Sequence, residues 1–138
     1  MSNNMDITII DNSGEVLKEL EAKMQKALEE VGITAEGHAK QAAPVGDTGR
    51  LRNSISHAVK SSENAVYIGT NVPYAPYVEL GTGIYASDGQ GRKSPWVYTD
   101  SKGEKHYTRG IKPRHFLKNA AETHVDEYKA IIEKVMKE

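Results

Sequence analysis

The chain has 138 residues, 38% of them hydrophobic and 27% charged, and its 18 basic and 19 acidic side chains give a formal net charge of −1. This size predicts one domain with a hydrophobic core of its own. The balanced charge argues against a general nucleic-acid coat, and the absence of cysteine excludes disulfides and thiolate metal sites. No stretch approaches the roughly 20 apolar residues that span a bilayer, so we expect no membrane contact.

The amino-terminal segment, residues 1–12, is predicted to be an arm or an edge strand, because apolar and polar residues alternate over residues 5–10. A long amphipathic helix follows. It is predicted to begin after a capping Asn12 or Ser13 and to stop before Pro44, because proline disfavours a helical residue in front of it.

The long helix has one apolar stripe, whose members recur at three- and four-residue steps. The stripe consists of Val16, Leu17, Leu20, Met24, Ala27, Leu28, Val31, Ala35, Ala39 and Ala42. Gly32 and Gly37 lower the helix propensity, which predicts a bend between them. The alanines of the second half allow close packing, either inside the domain or against another subunit.

Two strands are predicted over residues 51–59 and 65–70, with the polar residues 61–64 as the turn between them. Residues 74–83 come next. Proline fixes the backbone where this segment starts, about one or two helical turns are predicted to follow, and glycines are predicted to end them. Residues 84–110 form a long excursion, predicted as an extended loop that carries a second, shorter hairpin.

A carboxyl-terminal helix is predicted to begin near Pro113, because proline suits the first turn of a helix. The order of the elements predicts an α+β fold. In this fold an antiparallel sheet is packed by the long amino-terminal helix and the carboxyl-terminal helix, and the excursion protrudes as a loop or hairpin.

Three motifs appear in order along the chain. Residues 43–55 read APVGDTGRLRNSI, residues 74–82 read YAPYVELGT, and residues 112–120 read KPRHFLKNA. Together they resemble the signatures of the small tail-completion, or head–tail joining, proteins of long-tailed double-stranded DNA phages and prophages. The resemblance covers roughly residues 15–135. The sequence departs from the pattern in an extra Gly46 and in the length of residues 84–110.

The resemblance implies a single head–tail joining domain over residues 1–138. It implies a structural virion protein that is made in the host cytoplasm and lies at the head–tail junction. Its partners would be the phage connector or stopper and tail proteins, together with other copies of itself in a ring, although the free protein could be a monomer. An alternative is a tail terminator that caps the tail tube.

Nine residues are candidates for interfaces. They are Arg50, Arg52, Tyr74, Tyr77, Glu79, Trp96, Tyr98, Tyr107 and Arg114. Tyrosine and tryptophan are enriched at protein interfaces, and arginine can pair with a neighbour's carboxylates. Glu79, between apolar residues, is expected to form an ion pair, with Arg114 or Arg50 as its partner inside the chain or with another subunit.

Enzyme activity is not expected. The five histidines lack a metal-ligand spacing such as H-E-x-x-H, and no serine accompanies His124 and its acidic neighbours as a nucleophile. We therefore expect no catalytic, cofactor or metal site. The excursion also mixes basic residues, such as Arg92 and Lys93, with aromatic ones, such as Trp96. A contact with DNA passing through the junction is therefore a further, less favoured alternative.

Overall fold

A computed structural model describes residues 9–46, 48–100 and 102–138. The elements in chain order are α1 (Ser13–Ala42), α2 (Arg50–Ser54), β1 (Ser56–Lys60), β2 (Ala65–Gly69), α3 (Ala75–Leu80), β3 (Trp96–Thr99), β4 (Lys105–Thr108), α4 (Phe116–Glu122) and α5 (Val125–Met136). The predicted α+β class is confirmed. Of the predicted amino-terminal arm or strand, residues 1–8 lie outside the described residues, and residues 9–12 are exposed without regular structure.

Helix α1 has 30 residues and ends where the sequence predicts, because Ala43 already has the extended backbone that Pro44 favours. The helix is not interrupted at the two glycines. Gly32 lies inside a continuous helix, buried against β1 and β2. A Cβ atom on Gly32 would come within 2.4 Å of Cδ2 of His57. The glycine therefore allows the strands to approach the helix closely, and its low propensity is outweighed by tertiary packing.

The first turns of α1 extend beyond the other elements that the structure describes. Val16, Leu17 and Leu20 are 50%, 58% and 45% exposed, so their predicted burial is wrong. The reason is the reach of α5, which packs along α1 only as far as Lys23 and Lys26. Both lysines hydrogen-bond to Glu138, just past the end of α5. The buried stripe consists of Ala27, Leu28, Val31, Gly32, Ala35 and Ala39. Ala35 and Ala39 thus pack inside the domain, whereas Ala42 is exposed, so its predicted burial is also wrong.

The strand predicted from residue 51 is wrong in its first half. Residues 50–54 form the one-turn helix α2, and the strand begins at Ser56. Gly49 precedes the helix in the left-handed region, with φ of 66°. This conformation turns the chain into a helix instead of a strand, with Leu51 buried beneath it.

The predicted hairpin itself is confirmed. Strands β1 and β2 pair antiparallel, with Ser56 opposite Gly69 and Lys60 opposite Ala65. Strands β3 and β4 form a second two-stranded sheet in the excursion, as the sequence predicts. Helix α1 packs on β1 and β2 and also on α4 and α5. It is therefore the element that connects the sheet to the carboxyl-terminal helices.

The carboxyl-terminal helix begins later than predicted and is interrupted. Residues 112–114 run beside α3 without regular structure, His115 has left-handed backbone with φ of 49°, and α4 starts at Phe116. Residues 123–124 separate α4 from α5. The Tyr128 hydroxyl donates a hydrogen bond back to the Ala120 carbonyl and so ties the two helices together.

One buried cluster lies where α1, α2, α3 and α4 meet. It comprises Ala39, Ala43, Leu51, Ile55, Val72, Ala75, Phe116 and Ala120. Each of the three motifs contributes to this cluster, so all three have a packing role. Among the described residues, no helix is both long enough and apolar enough to cross a membrane.

Candidate interaction surface

The second and third motifs lie side by side. The Arg114 N–H donates to the Val78 carbonyl at 2.9 Å, and the His115 N–H donates to the Glu79 carbonyl at 3.2 Å. Helix α3 is thus connected, through its backbone, to the segment that leads into α4. Two motifs that lie more than 30 residues apart form one structural unit.

Glu79 is the side chain that completes this unit. Its two carboxylate oxygens accept the backbone N–H groups of Leu117 and Lys118, each at 2.9 Å. A carboxylate suits this place because the first N–H groups of a helix have no partner inside the helix and carry partial positive charge. Among the described residues, neither Arg114 nor Arg50 pairs with Glu79, so the expected ion pair within the chain is wrong.

The two ends of the excursion also meet. The Thr82 N–H donates to the Ile111 carbonyl at 2.9 Å, and the Ile84 N–H donates to the Arg109 carbonyl at 3.1 Å. Between them Gly83 has φ of +61°, and a Cβ atom there would lie 1.9 Å from the Arg109 oxygen. We call residues 82–84 and 109–111 the clasp. Glycine is required in it because two backbones come into direct contact.

A groove of ≈ 440 Å³ lies between α3 and the excursion. Pro76, Tyr77 and Leu80 form one wall, and Arg92 and Trp96 contribute to the other. The guanidinium carbon of Arg92 is 5.5 Å from the Trp96 ring centroid, in the range of a cation–π contact. Tyr77 and Leu80 are 62% and 48% exposed. This α3–loop groove brings together two of the candidate residues, Tyr77 and Trp96.

The remaining candidates do not converge there. Tyr98 faces His106 across the second sheet, whereas Tyr107 faces Val97, so the two tyrosines lie on opposite faces of the hairpin. Arg50 lies over the Tyr74 ring, with 5.9 Å between the guanidinium carbon and the ring centroid.

The other two arginine candidates lie apart from the groove. Arg114 is exposed beside α3. Arg52 is half-buried on α2, and its buried Nε has no hydrogen-bond partner among the described residues.

Three basic side chains of the excursion, those of Arg92, Lys93 and His106, have local partners. Arg92 bonds to Ser94 as well as contacting Trp96, and the Lys93 ammonium donates to the Gly89 carbonyl at 3.0 Å. His106 hydrogen-bonds to Asp100 at 2.6 Å. The DNA contact stays a prediction.

A comparison with protein-family models matches residues 8–81 to the HK97-gp10-like family, described as "Bacteriophage HK97-gp10, putative tail-component". The matched region is more than half of the 138 residues. The chain belongs to this family. Comparisons with curated proteins and with solved structures found no match.

Membership in the HK97-gp10-like family confirms the sequence-based recognition of a phage tail or head–tail joining family. The match contains α1, α2, the first sheet and α3, and therefore the first motif and all but the last residue of the second. The excursion and the third motif lie outside it. The protein is thus a structural component of the phage tail, located in the virion and acting with other phage structural proteins.

Sequence reasoning missed one surface. Val16, Leu17 and Leu20, at the projecting end of α1, form an apolar helix face that no described residue covers. We call this surface the α1 tip. The available signal was the length of the helix, about 45 Å at 1.5 Å per residue, which exceeds what so small a domain can cover.

Proposed function

We propose that the protein is a tail-completion or head–tail joining subunit. It acts through protein–protein contacts in a ring at the junction between the phage head and the tail. The observation that carries this proposal is the presence of two separate exposed apolar surfaces, the α1 tip and the α3–loop groove. Contiguous exposed apolar surface marks interaction sites on proteins of this size.

A closed ring of identical subunits needs two different, complementary surfaces on each subunit. Its interfaces are heterologous, which means that one patch of each subunit meets a different patch of the next. The α1 tip is convex and the α3–loop groove is concave, and different elements carry them. We infer that the tip of one subunit inserts Leu17 and Leu20 into the groove of its neighbour, against Tyr77 and Trp96.

We further propose that the role is not catalytic. Glu79, the carboxylate inside the second motif, is committed to structure because both of its oxygens accept backbone N–H groups. Tyr77, on the same helix, and Trp96 border an open groove suited to a protein side chain or helix.

Electron microscopy of the phage or prophage that encodes the protein tests the function. Without the protein, we expect tails of normal length and DNA-filled heads that fail to join, and we expect added purified protein to restore joining. Tails of irregular length would instead support the tail-terminator alternative. Normal joined particles without the protein would overturn both.

Cysteine cross-linking tests the ring contact. The chain has no native cysteine, so a pair introduced at Leu17 and Ala86 is unique. In assembled particles, the double variant L17C/A86C should form a ladder of covalent multimers on oxidation. A matched control, I33C/A86C, places the cysteine at an exposed position elsewhere on α1 and should not form the ladder. Equal ladders in both variants, or none in either, would contradict the proposed contact.

A further inference from the structure

We propose that His38, His124 and Glu127 form a binding site for a divalent transition-metal ion of the zinc class. One ring nitrogen of each histidine and one carboxylate oxygen lie within 4.8 Å of one another. His38 Nε2 is 3.0 Å from Glu127 Oε2, and His124 Nδ1 is 3.6 Å from the same oxygen. This proposal is independent of the proposed role in head–tail joining.

The separations between the Glu127 oxygen and the two ring nitrogens are close to those between the ligand atoms of a zinc site. Bonds from zinc to nitrogen and oxygen of about 2.0–2.2 Å at tetrahedral angles separate neighbouring ligand atoms by about 3.3–3.5 Å. The two measured separations, 3.0 and 3.6 Å, lie on either side of that range. Imidazole and carboxylate are ligands that zinc accepts, and three protein ligands leave a fourth position for water.

The fold supplies this cluster from two packed helices. His38 lies on α1, His124 is the residue immediately before α5, and Glu127 lies in the first turn of α5. Helices α1 and α5 pack against each other, so the three residues are brought together where the two helices meet. The expectation of no metal site rested on spacing along the chain. It did not consider His38 and Glu127, which are 89 residues apart and become neighbours only in the fold.

The three side chains are also accessible from solvent, so an ion can reach them. The side chains of His38, His124 and Glu127 are 22%, 36% and 46% exposed. The two imidazole rings stack in parallel with centroids 3.5 Å apart. Metal binding therefore requires the rings to turn until their lone pairs point to one place. This turn separates the stacked rings and gives a spectroscopic signal of its own.

A second acidic and histidine cluster provides a contrast. Asp100, Glu104 and His106 are also close together, but Asp100 Oδ1 accepts the backbone N–H groups of Lys102 and Glu104. Those bonds form the turn between β3 and β4, so the Asp100 carboxylate is occupied by local structure. No comparable main-chain bond occupies the Glu127 carboxylate among the described residues.

Calorimetric titration of the untagged, chelator-stripped full chain with zinc chloride tests the proposal. We expect one ion per chain, bound more tightly than about 10 μM, together with a higher unfolding temperature because only the folded state holds the site. Cobalt chloride should give the visible absorption of a four-coordinate ion. The histidine ring signals of His38 and His124 should shift in NMR spectra, and the signal of His57 should not.

Variants assign the ligands. H38A, H124A and E127Q should each weaken zinc binding by about tenfold or more, whereas H106A, in the contrasting cluster, should bind as the wild type does. Circular dichroism checks that each variant is folded. If H38A unfolds, H124A and E127Q still decide, because both positions are partly exposed. Unchanged zinc affinity in those two variants, or no saturable binding by the wild type, would overturn the site.

Discussion

At the residue scale, Glu79 has the most consequential position. It lies in α3, yet its carboxylate satisfies the first free N–H groups of α4. Both hydrogen bonds are made by a carboxylate oxygen and are therefore charge-assisted, which makes each stronger than a hydrogen bond between neutral groups. One side chain therefore fixes the start of a helix nearly 40 residues further along the chain.

Replacement of Glu79 by alanine should lower the free energy of unfolding by about 1–2 kcal/mol, because two N–H groups lose their acceptor. E79Q should lose less, because its amide oxygen still accepts a hydrogen bond. Urea unfolding measures both. The control is E133A, at an exposed position on α5. Equal stability of E79A and E133A would show that Glu79 does not cap α4.

His57 is the residue whose charge connects the first sheet to α1. Its Nε2 lies 2.7 Å from Glu29 and its Nδ1 lies 3.1 Å from Glu36. The hydrogen bond with Glu29 raises the pKa of His57, burial opposes that rise, and Glu36 adds to it. The pKa of Glu36 is lowered chiefly by its hydrogen bond with His57. The protonated histidine is thus favoured in the folded state.

The direction of these shifts sets the pH dependence. Because the pKa of His57 is higher in the folded than in the unfolded protein, its contribution is complete below about pH 6 and disappears as the pH rises through the raised value. Since the pKa of Glu36 is lowered, its contribution is present above about pH 4.5 and disappears on further acidification. The pair therefore stabilises the fold most between about pH 5 and 6.

We expect the wild type to lose stability as the pH rises from about 6 through the raised pKa of His57, and H57Q to lose clearly less over the same interval. Urea midpoints at several pH values measure the slope, which is independent of any overall destabilisation by the substitution. A slope that is identical in the wild type and H57Q would contradict the assignment.

At the scale of the elements, Gly32 and Gly37, two of the three glycines of α1, have opposite roles. Gly32 is buried against His57 and Val66, whereas Gly37 is exposed, with no described atom within 4 Å of a Cβ placed there. The same substitution at the two positions therefore separates packing from helix propensity within one helix.

Gly32→Ala should destabilise the protein by about 1–3 kcal/mol, because the new methyl group would overlap the His57 ring. Gly37→Ala should stabilise it by about 0.5–1 kcal/mol, because alanine loses less backbone entropy in a helix. Thermal and urea unfolding of both variants provide the measurement. Changes of the same sign would show that close packing at Gly32 is not what distinguishes the two sites.

The elements show which parts of the fold were predictable from sequence. The long helix, both hairpins and α3 follow from periodicity, turn residues and proline, which act locally. The errors arose where distant parts of the chain decide the outcome. The burial of Gly32 depends on β1, the exposure of Leu17 depends on where α5 ends, and the start of α4 depends on Glu79.

The candidate site was predictable to a similar extent. Aromatic composition indicated Tyr77 and Trp96, which share the α3–loop groove. It could not separate Tyr98 from Tyr107, because the faces of a hairpin depend on its register. The partner of Glu79 was missed because an arginine side chain was expected to bind the carboxylate. Its actual partners are backbone N–H groups, which cannot be recognised from the amino-acid composition.

At the scale of the whole molecule, stability and assembly are separable at the α1 tip. The double substitution L17E/L20E should change the free energy of unfolding by no more than about 0.5 kcal/mol, since both side chains are about half exposed. It should nevertheless prevent the protein from restoring joined particles in the microscopy assay, because two charges would enter an apolar groove.

L28E provides the comparison, because Leu28 is only 6% exposed and lies in the buried stripe. This variant should fail to fold, as seen by circular dichroism. Full assembly activity of a folded L17E/L20E protein would remove the α1 tip from the proposed interface.

The clasp has a consequence for how such a protein can diversify. Because residues 82–84 and 109–111 are bonded to each other, the chain between them begins and ends at one place on the body. The entropy of closing a loop rises only slowly with its length. The intervening stretch can therefore be lengthened, shortened or exchanged as a cassette without disturbing the helices, and a new binding specificity can be acquired on an unchanged scaffold.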